Sequence, residues 1–181
     1  KNETVVALVP LVESPTVALG TAQGVVKRVA ASEITNKPEV EIIALKPGDR
    51  VIGAAPAPDD AEVVFVTTDA QLLRFDASAV RPQGRSAGGM AGVRVATGES
   101  VISFGVVARD AEDAVVVTVA GSSAALAGAD AGTAKVSSFD EFPPKGRGTG
   151  GVRAQRFLRG EDGIRVAWVG AAPARAAGTA G

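Results

Sequence analysis

The sequence predicts an all-β fold, a propeller-like array of about three four-stranded blades. Three observations lead there. First, the chain repeats itself with a period of about 50 residues, the size of a blade. Gly24-Val25-Val26-Lys27-Arg28-Val29 returns as Ala70-Gln71-Leu72-Leu73-Arg74-Phe75. Gly48-Asp49-Arg50-Val51-Ile52 returns as Gly98-Glu99-Ser100-Val101-Ile102 and, more loosely, as Gly160-Glu161-Asp162-Gly163-Ile164. Arg81-Pro82-Gln83-Gly84-Arg85 returns as Pro143-Pro144-Lys145-Gly146-Arg147. Second, 46% of residues are hydrophobic but only 4% aromatic, so short valine and alanine runs carry the apolar load. Branched side chains pack well on a pleated surface. Third, 22 glycines and 10 prolines suit many tight turns better than long helices.

The elements follow in order. Thr4–Leu11 is a short apolar run, read as the closing strand of a preceding blade and expected to pair with the first unit. Unit one, about 16–57, opens with strands Thr16–Thr21 and Val25–Val29 around the hairpin signal Ala22-Gln23-Gly24. A third strand, Glu41–Leu45, leads through the turn Lys46-Pro47-Gly48-Asp49 to a fourth, Val51–Ala55. Unit two, about 62–107, repeats this with Val63–Thr67, Leu72–Phe75, a long Gly/Arg/Pro connection Asp76–Ala91, Gly92–Val95 and Val101–Val107. Unit three, about 113–170, has Ala114–Val119, a turn at Gly121-Ser122-Ser123, a small-residue insertion around Ala127–Ala134, a second Gly/Arg/Pro connection Phe139–Gly151, then Val152–Phe157 and Ile164–Val169. The Ala/Gly-rich stretch Ala171–Gly181 reads as a flexible tail.

The composition narrows the chemistry. The chain has no cysteine, histidine or tyrosine, which removes disulfides, thiolate metal sites and most acid–base or nucleophile candidates. The absence of cysteine fits a reducing compartment. No apolar run approaches the length of about 18 residues that a membrane span needs, so no membrane partner is expected. Net charge is −1, yet residues 121–181 carry 8 basic and 5 acidic groups. Lys145, Arg147, Arg153, Arg156 and Arg159 crowd into that third. Strands can sort such charges onto one face even in a neutral protein.

The order of a hairpin with Lys-Arg or Arg-Phe, a long loop with Arg-Pro-x-Gly-Arg, a strand, and Gly-acidic-x-Val-Ile resembles the C-terminal domain of the A subunit of bacterial type IIA topoisomerases. The carriers are Val25-Val26-Lys27-Arg28 with Gly48-Asp49, Leu73-Arg74-Phe75-Asp76 with Val80 to Arg85 and Gly92-Val93-Arg94-Val95, and Lys145-Gly146-Arg147-Gly148 with Gly151-Val152. The resemblance spans roughly residues 4–170. It implies a β-pinwheel, whose blades exchange strands and whose basic rim binds and bends duplex DNA. Three units imply a fragment or a short variant of that fold. The parent would be a cytoplasmic, nucleoid-associated ATP-dependent isomerase using ATP and Mg. Its partners would be an ATPase subunit, the rest of the A subunit, and double-stranded DNA, with no cofactor held by this stretch. Gln83-Gly84-Arg85-Ser86-Ala87-Gly88-Gly89 and Lys145-Gly146-Arg147-Gly148-Thr149-Gly150-Gly151 differ from the Gln-Arg-Arg-Gly-Gly-Lys-Gly box of gyrase, which favours topoisomerase IV.

The candidate DNA contacts are Arg81, Arg85, Arg94, Lys145, Arg147, Arg153 and Arg156. Glycine and proline beside arginine let backbone N–H groups approach a phosphate that the guanidinium grips in a fork. The plainer reading is a solvated loop. Lys27, Arg28 and Arg74 recur at the end of the second hairpin strand, where alternation sends one member of each pair outward. They either extend the DNA track or pair with Glu33 and Asp76. Asp49 and Glu99 read as turn formers. Asp59-Asp60 and Asp110, Glu112 and Asp113 read as solvated linkers, and Phe65 and Trp168 as core. No catalytic or metal-ligating residue is expected, and no phosphate-cradling nucleotide loop is present. A protein-interaction blade array is the competing function.

Overall fold

In the computed structural model the chain is described over residues 3–11, 15–34, 38–125 and 132–172. It is all-β. Unit one supplies β1 (Thr16–Thr21), β2 (Val25–Ala30) and β3 (Val51–Pro56). Unit two supplies β4 (Glu62–Thr67), β5 (Gln71–Asp76), β6 (Met90–Ala91) and β7 (Val101–Val107). Unit three supplies β8 (Ala114–Gly121), β9 (Thr133–Ser138), β10 (Val152–Arg153) and β11 (Gly163–Ala171). A three-residue 3₁₀ turn follows the second strand of every hairpin, at Ala31–Glu33, Ala77–Ala79 and Phe139–Glu141.

The first two hairpins are closed by the same chemistry. Gly24 N–H donates to Thr21 O at 3.0 Å, and Ala70 N–H to Thr67 O at 3.0 Å. The hydroxyls of Thr21 and Thr67 accept from the N–H groups of Val25 and Gln71. Gly24 and Ala70 both have positive φ, at 82° and 63°. A side chain on Gly24 would also place its Cβ 2.3 Å from the Val93 carbonyl, so glycine is required there on two counts.

Strands are exchanged between neighbouring units. The first sheet runs β3-β1-β2-β6 and the second β10-β5-β4-β7, so β6 and β10 each pair with the hairpin of the unit before. Met90 lies opposite Val26, and Val152 opposite Leu72. The third sheet has three strands among the described residues, in the order β11-β8-β9.

The sheets pack face on face. Between the first and second, Phe65 meets Phe104 edge-on at 5.1 Å and stacks on Phe75 at 6.3 Å, surrounded by Ala18, Val26, Val63, Leu73 and Val80. Phe104 rests directly on Gly20, where an added Cβ would fall 2.1 Å from its ring. Between the second and third, Val64, Val66, Leu72 and Val107 pack with Val116, Phe139 and Phe142.

Several expectations are corrected. Thr4–Leu11 forms no strand and pairs with nothing in a sheet; Leu8 is almost fully exposed. Glu41–Leu45 is likewise outside any strand, because the matching segments β6 and β10 obtain their partner from the preceding unit. Gly92–Val95 is not a strand, and the extended pairing there is limited to Met90–Ala91. The strand expected over Val152–Phe157 is limited in the same way to Val152–Arg153. β9 begins where the sequence predicts only a loop insertion. Its one buried residue is Ser137, so no apolar alternation announces it. The insertion itself, 126–131, and the tail from 173 lie outside the described residues. Trp168 is 44% exposed on the outer face of the third sheet, while Phe65 is buried as expected.

Candidate nucleic-acid interface

The basic side chains fall into three structural classes. The first is buried. Lys27 is 0% exposed and Arg28 1%, so neither belongs to a solvent-facing track. Alternation does send them to opposite faces of β2, but both faces are covered. On one side the Lys27 ammonium donates to the carbonyls of Gly84, Arg85 and Ala87 at 2.7–2.8 Å. Burial pushes this ammonium below the ordinary lysine value, and the Glu33 charge opposes that shift. On the other side the Arg28 guanidinium donates to the carbonyls of Ala57, Ala77 and Val80, to the Thr16 hydroxyl and to the Asp59 carboxylate. Arg74, its counterpart in unit two, is nearly as enclosed. It pairs with Glu62 at 3.2 Å and stacks on the Phe139 ring at 4.3 Å. Asp76, its expected partner, pairs with Arg109 instead. Lys27, Arg28 and Arg74 are therefore internal ties. Asp59 is one of those ties too, through Arg28.

The second class is on the surface but committed. Arg85 is half-buried beside Glu33, Glu39 and Glu41 in one groove, and its backbone N–H donates to Glu33 at 3.2 Å. These three carboxylates line the groove it shares. Arg147 donates from its guanidinium to the Ala91 carbonyl at 2.6 Å, holding the exchanged strand β6. Lys145 donates to Gly151 O at 3.2 Å.

The third class is exposed, and among the described residues no protein hydrogen bond or ion pair engages these side chains: Arg81, Arg94, Arg153 and Arg156. Backbone bonds weld the second and third connections into one rim that carries Arg94, Lys145 and Arg147. Arg94 N–H donates to Thr149 O at 2.9 Å and Gly148 N–H to Gly92 O at 2.6 Å. Gly148 sits at φ 76°, and the Arg94 guanidinium lies within 3.5 Å of where a Gly150 Cβ would stand, so glycines keep this rim low and open. Arg153 and Arg156 continue the basic surface into a groove along β9, together with Lys135. Sequence reasoning passes over Lys135 because it passes over β9. A signal is nonetheless present: Lys27 lies four residues before the 3₁₀ turn of unit one, and Lys135 four before that of unit three.

The first connection differs in sign. It presents Glu39 and Glu41 where the second and third present arginines. Charge is thus graded from acidic to basic along the array. Among the described residues no helix is long and apolar enough to cross a membrane.

Strand-exchanged sheets stacked into a series, with a glycine-lined basic rim on their connections, define a propeller-like blade module. The profile of the DNA gyrase C-terminal domain, a beta-propeller, matches residues 15–58, 61–108 and 126–164. The chain belongs to that family. The DNA gyrase A protein of Salmonella typhimurium is 31% identical over 156 residues, which is 83% of this chain and 16% of that protein. Its counterpart in Deinococcus deserti is 34% identical over 136 residues, 73% of this chain and again 16% of the relative. The chain therefore spans about a sixth of these curated relatives. Among solved structures, the C-terminal domain of DNA topoisomerase IV superposes with TM-score 0.72 at 22% identity, over 85% of this chain and 46% of that one. The DNA gyrase A C-terminal domain superposes with TM-score 0.67 at 17% identity, over 88% and 50%.

Proposed function

We propose that the rim of the second and third connections holds duplex DNA by its phosphates, and that the chain is the DNA-binding and DNA-bending module of a type IIA topoisomerase. The observation that carries this reading is the welded pair of connections, which puts Arg94, Lys145 and Arg147 on one continuous edge and leaves Arg94, Arg153 and Arg156 free to meet a ligand. Family membership supports it. Among the described residues no set of side chains suited to reading base edges accompanies the cations, so binding is sequence-tolerant. Strand passage, with its ATP and Mg, belongs to the remainder of the enzyme in the cytoplasm: the other domains of the same polypeptide, working with an ATPase subunit. The glycine–arginine motifs favour topoisomerase IV, the curated relatives carry the gyrase name, and domains of both superpose on this chain. The role proposed is common to both.

The test is a gel or filter titration of the chain on linear duplex at several salt concentrations. With about five phosphates neutralised, log affinity falls against log salt with a slope of about −4 to −5. Absence of binding, or binding indifferent to salt, overturns the proposal and leaves the protein-interaction reading in its place.

A further inference from the structure

Arg85 and Arg147 hold equivalent places in the connections of units two and three, each directly after a glycine. Their surroundings differ in two matched positions. The 3₁₀ turn of the preceding unit ends in Glu33 for Arg85 and in Ala79 for Arg147. Glu33 Oε2 accepts from the Arg85 N–H at 3.2 Å, and alanine has no group that could do this for Arg147. The buried strand residue is Lys27 in unit one and Leu73 in unit two.

The turn that carries Arg85 is built like an anion site. The Gly84, Arg85 and Ala87 carbonyls accept from the Lys27 ammonium at 2.7–2.8 Å. In a trans peptide the N–H of the next residue points the opposite way. The N–H groups of Arg85, Ser86 and Gly88 therefore face away from Lys27. Successive outward amides make an anion-binding concavity. Lys27 is 0% exposed, so its charge supports that concavity from beneath and touches no ligand. The Ala87 N–H donates to Gly84 O at 3.0 Å and closes the turn. Among the described residues no hydrogen bond engages the Ser86 N–H. The Arg85 N–H is held by a carboxylate, so an anionic group already occupies the place.

We propose that Glu33 is an internal stand-in for a phosphate group. Its carboxylate occupies the site made by the Arg85 and Ser86 amides beside the Arg85 guanidinium, and so ends the DNA track before Arg85. For DNA this role rests on the binding proposed for the rim. A phosphate oxygen would take the same N–H that Glu33 takes, while the guanidinium pairs with a second oxygen. Removing Glu33 therefore adds one phosphate contact to the track.

The experiment has two arms, both on the purified chain. In the first, amide signals of wild type and Glu33→Ala are followed during titration with inorganic phosphate. Those of Arg85 and Ser86 are expected to shift in the variant and to stay in place in wild type. In the second, salt series on linear duplex compare wild type, Glu33→Ala, Arg85→Ala, the Glu33→Ala/Arg85→Ala double variant and Glu39→Ala. Glu39 lines the same groove and carries the same charge, and no hydrogen bond joins it to the turn among the described residues. Glu33→Ala should steepen the log–log slope by about 0.9, the share of one phosphate. Glu39→Ala should leave the slope at the wild-type value, and the double variant should match Arg85→Ala. Glu33→Ala with wild-type amide response and wild-type slope overturns the proposal and makes Glu33 only a counter-charge to Lys27. Equal steepening by Glu39→Ala, or steepening that survives without Arg85, overturns it as well. If wild type binds no duplex while the amides of Glu33→Ala answer to phosphate, the DNA reading of the rim fails and the anion site stands.

Discussion

The Lys27 ammonium lies 2.7 Å from the carbonyl oxygen of Arg85, a residue of the next unit's connection. It also binds the Gly84 and Ala87 carbonyls, so one buried cation gathers the turn that carries Arg85. A lysine that reads as a surface charge thus shapes a loop from beneath. Lys27→Met removes the donor and keeps the apolar stem. Three carbonyls lose a charged partner, and stability is expected to fall by about 2–4 kcal/mol. Hydrogen exchange of amides 84–89 should speed up beyond that of the β-sheet core. A variant with wild-type melting temperature and unchanged exchange would refute this role.

Arg28 and Asp59 form an ion pair at 2.6 Å whose partners differ in burial, with side-chain exposures of 2% and 79%. The guanidinium satisfies three buried carbonyls, whereas the carboxylate is solvated either way. Arg28→Met is therefore expected to cost about 3 kcal/mol or more, by orphaning those acceptors. Asp59→Asn should cost less than about 1 kcal/mol, in the range of an exposed pair. Urea unfolding of the two variants separates them; equal losses would mean the ion pair, and not the carbonyl set, is what matters.

The Asp162 carboxylate accepts from the Ser123 N–H and hydroxyl and pairs with Arg165, fastening the β8 turn to the start of β11. The Ser123 hydroxyl bond is the chief reason its pKa lies below the ordinary aspartate value of 3.8. A depressed folded-state value means the contribution is present above pH 3.8 and is lost as pH falls through the folded value. Carboxyl carbon shifts across an acid titration should show Asp162 among the last groups to protonate. Ser123→Ala should return its midpoint toward 3.8. An unmoved midpoint in that variant would show that the hydroxyl bond is not the cause.

The repeat makes the fold readable because each hairpin, 3₁₀ turn and closing strand answers to local rules. Thr21 and Gly24 set one turn as Thr67 and Ala70 set the next. Strand exchange is not readable from residue pattern, since Met90–Ala91 and Val152–Arg153 are only two residues long and owe their extended pairing to a neighbouring hairpin. Only the family resemblance suggests it. The site divides in the same way. Arg81, Arg94, Arg153 and Arg156 sit on connections and are exposed. Lys27 and Arg28 look like one inward and one outward charge, because alternation assumes a sheet with one wet face. β2 has none: the next connection covers Lys27, and residues 57–59 and 77–80 enclose Arg28. Arg85 shares its groove with Glu33, Glu39 and Glu41, which come from another unit and are brought beside it only by folding.

These differences among the arginines make the DNA proposal sharper. Arg94, Arg153 and Arg156 are exposed and free of protein partners among the described residues, so each is able to neutralise a phosphate. Replacing the three by alanine should flatten the log–log salt slope by about 2–3 units. Stability should stay within about 0.5 kcal/mol, as for surface substitutions that break no internal contact. Arg85→Ala, by contrast, should leave the slope almost unchanged, because Glu33, Glu39 and Glu41 line the groove it shares and repel a phosphate there. Arg147→Ala should lower affinity together with stability, since its guanidinium holds Ala91 and with it the exchanged strand β6. The measurement is one salt series per variant on the same linear duplex, with a thermal melt of each protein alongside. If Arg85→Ala flattens the slope by about 0.9, the share of one phosphate, while the triple variant leaves it unchanged, the rim assignment fails and the DNA path must run past Arg85 instead.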